Sequence, residues 1–337
     1  MTPAMPLPAL AEALRTGRGM HHKQDIQTAL RTLGSALPAP LHQAGQTLAV
    51  GDDCAALPDG DGFLLFAIEG FISDFVAAEP WFAGWCGLMV NLSDIAAMGG
   101  RPIAVVDALW SRDDASAVPI LEGMRAASAA FGVPVVGGHS NTHAGGEQLA
   151  VAVLGRAQRL LTSFDAQAGD RLMIAIDLRG HWHDPYPFFD AATRAPGERL
   201  RGDLALLPAL AEQGWCRAAK DISMAGIVGT AAMLMEGSRL GGVIDLDRLP
   251  CPLDLAPADL LRWLQVFPSF GYLLAIPAGH TANVIDHFAR RDIACADLGE
   301  FDRSGVVRIA QAGAEAVVWD LGAHALTGCQ PLTVASS

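Results

Sequence analysis

The chain has 337 residues, room for two domains or one large one, and 51% hydrophobic against 18% charged residues allows a large buried core. Its net charge of −13 argues against nucleic acid or an anionic membrane as partner, but not against a nucleotide held by metal ions and backbone N–H groups. Six widely spaced cysteines with no C-x-x-C argue against a zinc site or a disulfide framework and fit a reducing cytoplasm.

In chain order, residues 1–45 read as a loosely structured, flexible segment interrupted by Pro3, Pro6, Pro8, Pro38 and Pro40. Met1–Leu14 lacks the basic flank and apolar core of a signal peptide. Gly17-Arg-Gly-Met-His-His-Lys23 reads as a glycine and basic loop, suited to phosphates or simply solvated, before a helical pattern at Ile26, Leu30 and Leu33. Gly51-Asp-Asp-Cys-Ala-Ala56 follows the short apolar segment Thr47–Val50, and Phe63–Ile68 reads as a strand ending at Glu69-Gly70. Trp81–Met98 reads as a helix that is apolar nearly all round, stopped by Gly99-Gly100. Such a helix is normally buried, yet it carries Asn91 and Asp94 three apart on one face. A buried carboxylate is costly unless it is paired or bound to a cation, so Asp94 reads either as a satisfied core residue or as a metal ligand.

Pro102–Trp110 reads as a buried strand, Ser116–Phe131 as a helix, and Val133–Val136 as a strand that ends in a Gly137-Gly-His-Ser140 loop. Gln148–Gly155 is a further strand, and a boundary is expected within 156–170. After the strand Arg171–Asp177, Gly180–Gly202 reads as a long loop rich in aromatic and charged residues. Asp203–Gln213 is helical, and Lys220-Asp-Ile-Ser-Met-Ala-Gly226 is expected to open a helix capped by Ser223. Strands follow at 242–246, 271–277, 295–301, 305–309 and 316–321, with a helix at Thr281–Arg290. The order is α+β rather than strictly alternating. No apolar run is long enough to span a bilayer.

Acidic residues fall where elements end: Asp52, Asp53, Glu69, Asp94 and Asp221. Carboxylates gathered at one point repel, and a divalent cation removes that cost; Mg²⁺, with its preference for oxygen ligands and phosphates, is the natural one. No G-x-x-x-x-G-K-[ST] and no G-x-G-x-x-G between strand and helix is present, so a nucleotide site here is of another kind.

Four motifs in order resemble those of the aminoimidazole ribonucleotide (AIR) synthase, or PurM-like, superfamily. They are Gly51-Asp-Asp-Cys-Ala-Ala56, Asn91-Leu-Ser-Asp-Ile-Ala-Ala-Met-Gly-Gly-Arg-Pro102, Gly137-Gly-His-Ser140 and Lys220-Asp-Ile-Ser-Met-Ala-Gly226. That group includes AIR synthase, thiamine-monophosphate kinase, selenophosphate synthetase and the hydrogenase maturation factor HypE. The resemblance implies a flexible segment 1–45, an α+β ATP-binding domain at 46–158 and an α+β substrate domain at 159–337. It also implies a cytoplasmic homodimer formed through the N-terminal sheets, with ATP and Mg²⁺ as cofactors.

Residue by residue, the resemblance implies Asp53, Glu69, Asp94 and Asp221 as magnesium ligands, Glu69 standing where relatives carry Asp. It places Asn91, Gly137, Gly138 and His139 in the nucleotide site, and Lys23 on the γ-phosphate, so that Lys23 and Asp94 carry the catalysis. His181, His183, Asp184, Asp190 and Arg194 are candidate substrate contacts on the 180–202 segment, which reads also as a plain surface loop. Asp52 reads as a ligand or as a supporting partner, and His139 and His143 as polar loop residues rather than a metal pair.

The sequence also departs from its relatives. Met20, His21 and His22 precede Lys23 where selenophosphate synthetase has Cys or selenocysteine. The C-terminal cysteine motif of HypE is absent, with Cys329 set back from the end, and so is the G-G-E-T-A of AIR synthase. The expected function is Mg²⁺-dependent use of ATP to phosphorylate an amide, acyl or phosphate oxygen of a small molecule, as a kinase or a ligase/cyclase. The alternative is a non-catalytic nucleotide-binding, maturation or scaffold protein.

Overall fold

Two groups of elements each build their own core, and the chain passes between them more than once. The computed structural model describes residues 5–43 and 45–329. One unit comprises Met1–Asp52, Leu161–Ala191 and Gln213–Ser337; the other comprises Asp53–Leu160 and Ala192–Glu212.

The N-terminal segment is ordered in helices α1 (Leu7–Arg15), α2 (Arg18–Gln24) and α3 (Ile26–Leu33), not loosely structured as its prolines suggested. Pro6 and Pro8 occupy the cap and first turn of α1, where a proline costs no helical hydrogen bond. Leu10, Ala11, Leu14 and Met20 are buried in the core of the first unit, so this segment is part of that unit. The basic stretch that reads as a loop is helix α2. Its Gly19 lets the backbone approach closely, since a Cβ there would lie 2.2 Å from the Met224 carbonyl oxygen. Short strands β1 (Leu41–Gln43) and β2 (Gln46–Leu48) form a hairpin.

The second unit starts at Asp53. Strands β3 (Ala55–Asp59) and β4 (Gly62–Phe71) lead to helices α4 (Ser73–Ala78) and α5 (Pro80–Ala97). Strand β5 (Arg101–Trp110), helix α6 (Asp114–Phe131), strand β6 (Val135–Asn141) and strand β7 (Gln148–Ala157) follow. The five strands are ordered β3-β4-β7-β5-β6, with β5 and β6 parallel and the other pairs antiparallel. Phe63, Leu65, Val105, Leu109, Val151 and Val153 fill the core on one face. Glycines 137 and 138 do not form the expected loop: β6 continues through them, held in register against Val106 and Asp107.

Helix α5 is buried on nearly all sides because it packs on both the sheet and α6, as an all-round apolar helix requires. Two glycines permit the helix contact. A Cβ on Gly84 would lie 2.0 Å from the Ile120 carbonyl oxygen, and one on Gly123 would lie 1.9 Å from that of Trp81.

The chain returns to the first unit with β8 (Arg171–Ile176), β9 (His181–His183) and β10 (Phe188–Asp190). Helices α7 (Gly197–Leu204) and α8 (Leu206–Gln213) belong to the second unit, save the last residue. The first unit resumes with β11 (Ala218–Asp221), α9 (Gly226–Gly237) and β12 (Gly241–Asp245). It closes with α10 (Leu260–Leu264), β13 (Phe267–Pro268), β14 (Gly271–Ile276), α11 (Thr281–Ala289), β15 (Ala294–Asp302), β16 (Val306–Gln311) and β17 (Ala314–Asp320). Seven strands form one sheet, β11-β14-β8-β15-β12-β16-β17, and β13-β10-β9 form a small second one.

Two further expectations change here. The 180–202 segment is not one loop, because β9 and β10 pair as a hairpin and α7 begins at Gly197. Lys220 and Asp221 do not open a helix. Pairing of Asp221 with Tyr272 extends β11, and α9 starts only at Gly226, whose φ of +69° makes the turn. Ser223 is therefore not the cap, which is Ala225.

Alanine at an ordinary helical glycine stabilises by about 0.5–1 kcal/mol. Gly123→Ala should instead destabilise by about 1–3 kcal/mol through overpacking against Trp81, read as a lower midpoint in urea unfolding. A higher midpoint would contradict the close helix contact.

Candidate active site

Asp94 lies on α5 with only 7% of its surface exposed, and Asp53 lies two residues before β3. Each presents a carboxylate oxygen, and the two lie within 4.8 Å of one another. Two ionised carboxylates at that separation repel by roughly 3 kcal/mol at an effective dielectric of about 20. A divalent cation bound by oxygen reverses the sign of that term, and the all-oxygen donor set fits Mg²⁺ rather than a softer metal. Glu69 is exposed on β4 and is not grouped with these two carboxylates.

Asn91 sits one turn before Asp94 and is fully buried. Its Nδ2 donates to the Gly87 carbonyl at 2.7 Å, and its Oδ1 is buried with no hydrogen-bond partner. Gly137, Gly138 and His139 lie along β6, the edge strand, all of whose residues are exposed. The His139 ring packs on Trp110 with 6.0 Å between centroids. His143 lies in the turn beyond β6, where its N–H donates to Asn141 Oδ1 at 2.9 Å. That turn is closed by Arg112, whose Nε donates to Glu147 at 2.7 Å and holds its carboxyl below the usual carboxylate range.

Asp107 is a site candidate that the sequence did not reveal. It sits in β5, inside an apolar run that reads as ordinary buried strand. Burial raises its pKa from the usual carboxylate value, and its Oδ2 is buried without a hydrogen-bond partner. The signal available was an acidic residue in the middle of that run.

In the first unit, Asp52 is a supporting residue. Its side chain is 1% exposed, it accepts from the Ser163 N–H at 2.8 Å and from the Ser163 hydroxyl, and the Lys220 ammonium lies 4.0 Å away. Gly51 beside it has φ +107°, and a Cβ there would come within 2.3 Å of Cys329 Sγ. The tail that carries Cys329 is fastened by fully buried Glu236, which accepts from the N–H groups of Leu326 (2.7 Å), Thr327 (2.8 Å) and Gly328 (3.2 Å). Lys220 and Asp221 are both buried at the end of β11, and half-buried Lys23 lies on α2.

Of the candidate substrate contacts, His181, His183, Asp184 and Asp190 lie on the β9–β10 hairpin of the first unit, whereas exposed Arg194 belongs to the second. Asp184 is ion-paired with Arg262, whose guanidinium stacks 3.9 Å over Trp182. Asp190 is buried and accepts from Ser269 Oγ at 3.4 Å. These contacts give Asp184 and Asp190 structural partners.

Residues 51–157 match the model described as AIR synthase related protein, N-terminal domain, and residues 180–310 match the corresponding C-terminal domain. The chain is 46% identical to an uncharacterized protein of Synechocystis sp. over 92% of its own length and 94% of that protein. The chain belongs to the AIR synthase related family. A thiamine-monophosphate kinase of Synechococcus elongatus is 29% identical over 59% of this chain and 68% of that protein. Among solved structures, T. maritima PurL complexed with ATP superposes with a TM-score of 0.72 at 18% identity, over 96% of this chain. The chain spans 55% of that PurL, so this likeness speaks for the two-domain PurM-like α+β fold of the family and no more. No helix among the described residues is long and apolar enough to cross a membrane.

Because Gly51 combines a positive φ with contact to Cys329, Gly51→Ala should lower Tm for two reasons. Adding Cys329→Ala should recover the steric part and leave the backbone strain, measured as a partial return of Tm by calorimetry. Full recovery would show that the backbone conformation costs nothing.

Proposed function

We propose that this chain is a Mg²⁺-dependent, ATP-using enzyme that phosphorylates an amide, acyl or phosphate oxygen of a small molecule. The observation that carries the reading is the approach of the Asp53 and Asp94 carboxylates within 4.8 Å on a buried scaffold. Support comes from the relatives: one is named a kinase, and another was crystallised with ATP.

Asp53 and Asp94 would hold Mg²⁺ through oxygen, and the bound ion supplies charge neutralisation at the phosphates. The buried, rigid α5 fixes Asp94, so its carboxylate is oriented before any ligand arrives. Asn91, also fixed on α5, offers an acceptor oxygen with no internal partner. The edge glycines of β6 let a ligand approach the backbone closely. Lys23 and Asp221 enter the reading from their motifs, Lys23 as counter-charge to the γ-phosphate and Asp221 as a further metal ligand. Phosphoryl transfer needs little covalent participation from the protein, so positioning and charge stabilisation are the catalysis. Stopping at the phosphorylated product makes the enzyme a kinase. Displacement of that phosphate by a nitrogen nucleophile makes it a ligase or cyclase.

ATP with Mg²⁺ should raise Tm, as any ligand of the native state does, and ATP without Mg²⁺ should not. Asp94→Asn should lose most of that rise and lower phosphate release by at least tenfold. A rise without turnover on any acceptor would favour the non-catalytic binding role. No rise in the wild type at millimolar ATP would overturn the nucleotide reading.

We further propose that the chain pairs with a second copy through the uncovered face of the second unit's sheet. Register places Phe66 and Leu154 opposite each other, with Ile68 and Val106 reached across Ala152. Phe66 is 51% and Ile68 64% exposed, and so extended an apolar face is unusual on a monomer. Ile68→Glu should convert a dimer to a monomer in light scattering after gel filtration. A wild type already monomeric at high concentration would overturn this.

A further inference from the structure

Asp107 is a partly buried carboxylate in a strand whose neighbours on the same face are buried apolar residues. It lies on the same face of β5 as Val105 and Leu109, the face that forms the core of the second unit. One of its oxygens is buried without a hydrogen-bond partner, and burial disfavours its charged form. Residues that break the rules of a packed core without local compensation tend to be functional.

The position is also accommodated by a specific neighbour. Gly138 stands opposite Asp107 in the parallel β5–β6 pair. A Cβ at Gly138 would lie 2.3 Å from Asp107 Oδ1, so only glycine lets the carboxyl lean across the strand. Strand β6 is the sheet edge and is exposed along its whole length, so the carboxyl leans over the edge strand. Independently, fully buried Asn91 in the same unit holds its own acceptor oxygen without a donor.

We propose that Asp107 contacts the ligand, its carboxyl accepting a hydrogen bond from a hydroxyl or amino group of the nucleoside half of the nucleotide. The proposal rests on the nucleotide reading above. Phosphate oxygens bound to a cation offer no donors, whereas a sugar and an adenine do. Among the described residues, Asp107 lies outside the carboxylate group that contains Asp53 and Asp94. The role of Gly138 then follows: it makes room for the carboxylate that reads the ligand.

The test compares wild type, Asp107→Asn and Asp107→Ser by calorimetric titration with Mg·ATP and with Mg·tripolyphosphate, which shares the phosphates and lacks the nucleoside. The apo Tm of both variants at neutral pH should be no lower than that of wild type, because the Asp107 Oδ2 has no hydrogen bond to lose. Affinity for Mg·ATP should fall at least tenfold in both, with affinity for Mg·tripolyphosphate unchanged within twofold. Wild-type affinity for Mg·ATP in the variants would overturn the contact while leaving the nucleotide reading intact. Equal loss of both ligands, or a large fall in apo Tm, would also overturn it, by placing Asp107 in the metal site or in the fold. A wild type that binds neither ligand would overturn the nucleotide reading and this inference with it.

Discussion

The approach of two carboxylates, Asp94 on the buried helix α5 and Asp53 just before β3, within 4.8 Å is the feature on which the account of the second unit depends. Asp94 cannot withdraw into solvent, because the helix that carries it has almost no exposed side. Asp53 cannot retreat far, because β3 begins two residues later and is zipped to β4. Their separation of under 4.8 Å is therefore held by the fold. On the proposed reading, a divalent cation held by these two carboxylates would couple metal binding to stability. The rigidity of α5, secured by its glycine contacts with α6, keeps the geometry available without a rearrangement on binding.

The first unit treats the neighbouring acid in the opposite way. Asp52 accepts two hydrogen bonds from Ser163 and is accompanied by Lys220, so it braces the end of the first unit's opening segment. The C-terminal tail contributes to the same brace, with Glu236 gripping three successive N–H groups and Cys329 filling the space left by Gly51. Adjacent aspartates in one sequence motif thus lie in different surroundings.

Much of this was legible in the sequence, and the reasons are local. The apolar run Trp81–Met98 has one reading, a buried helix, so the cost of Asp94 could be seen before any coordinates. The ordered motifs gave the family and the two-domain α+β fold, which the matches to residues 51–157 and 180–310 bear out. Features set by distant pairing were not legible. Gly137-Gly138 reads as a loop, yet a parallel neighbour keeps it extended. Lys220-Asp221 reads as a helix start, yet Tyr272 draws it into a strand. The N-terminal prolines read as breakers, yet they sit where a helix tolerates them, and Leu10 and Leu14 find a core that only the folded chain supplies. Asp107 was hidden because an apolar run masks one acid, and its significance depends on a glycine 31 positions away in sequence.

On the proposed reading, Asp53 and Asp94 hold one divalent cation that serves a nucleotide. Its most direct measurement is a Mn²⁺ titration followed by electron paramagnetic resonance, with and without ATP, on wild type and on Asp53→Asn. Wild type should bind Mn²⁺ more strongly when ATP is present, beyond the binding to ATP alone, and the variant should bind it at least tenfold more weakly. Equal Mn²⁺ binding by both proteins, or none by wild type with ATP present, would contradict it.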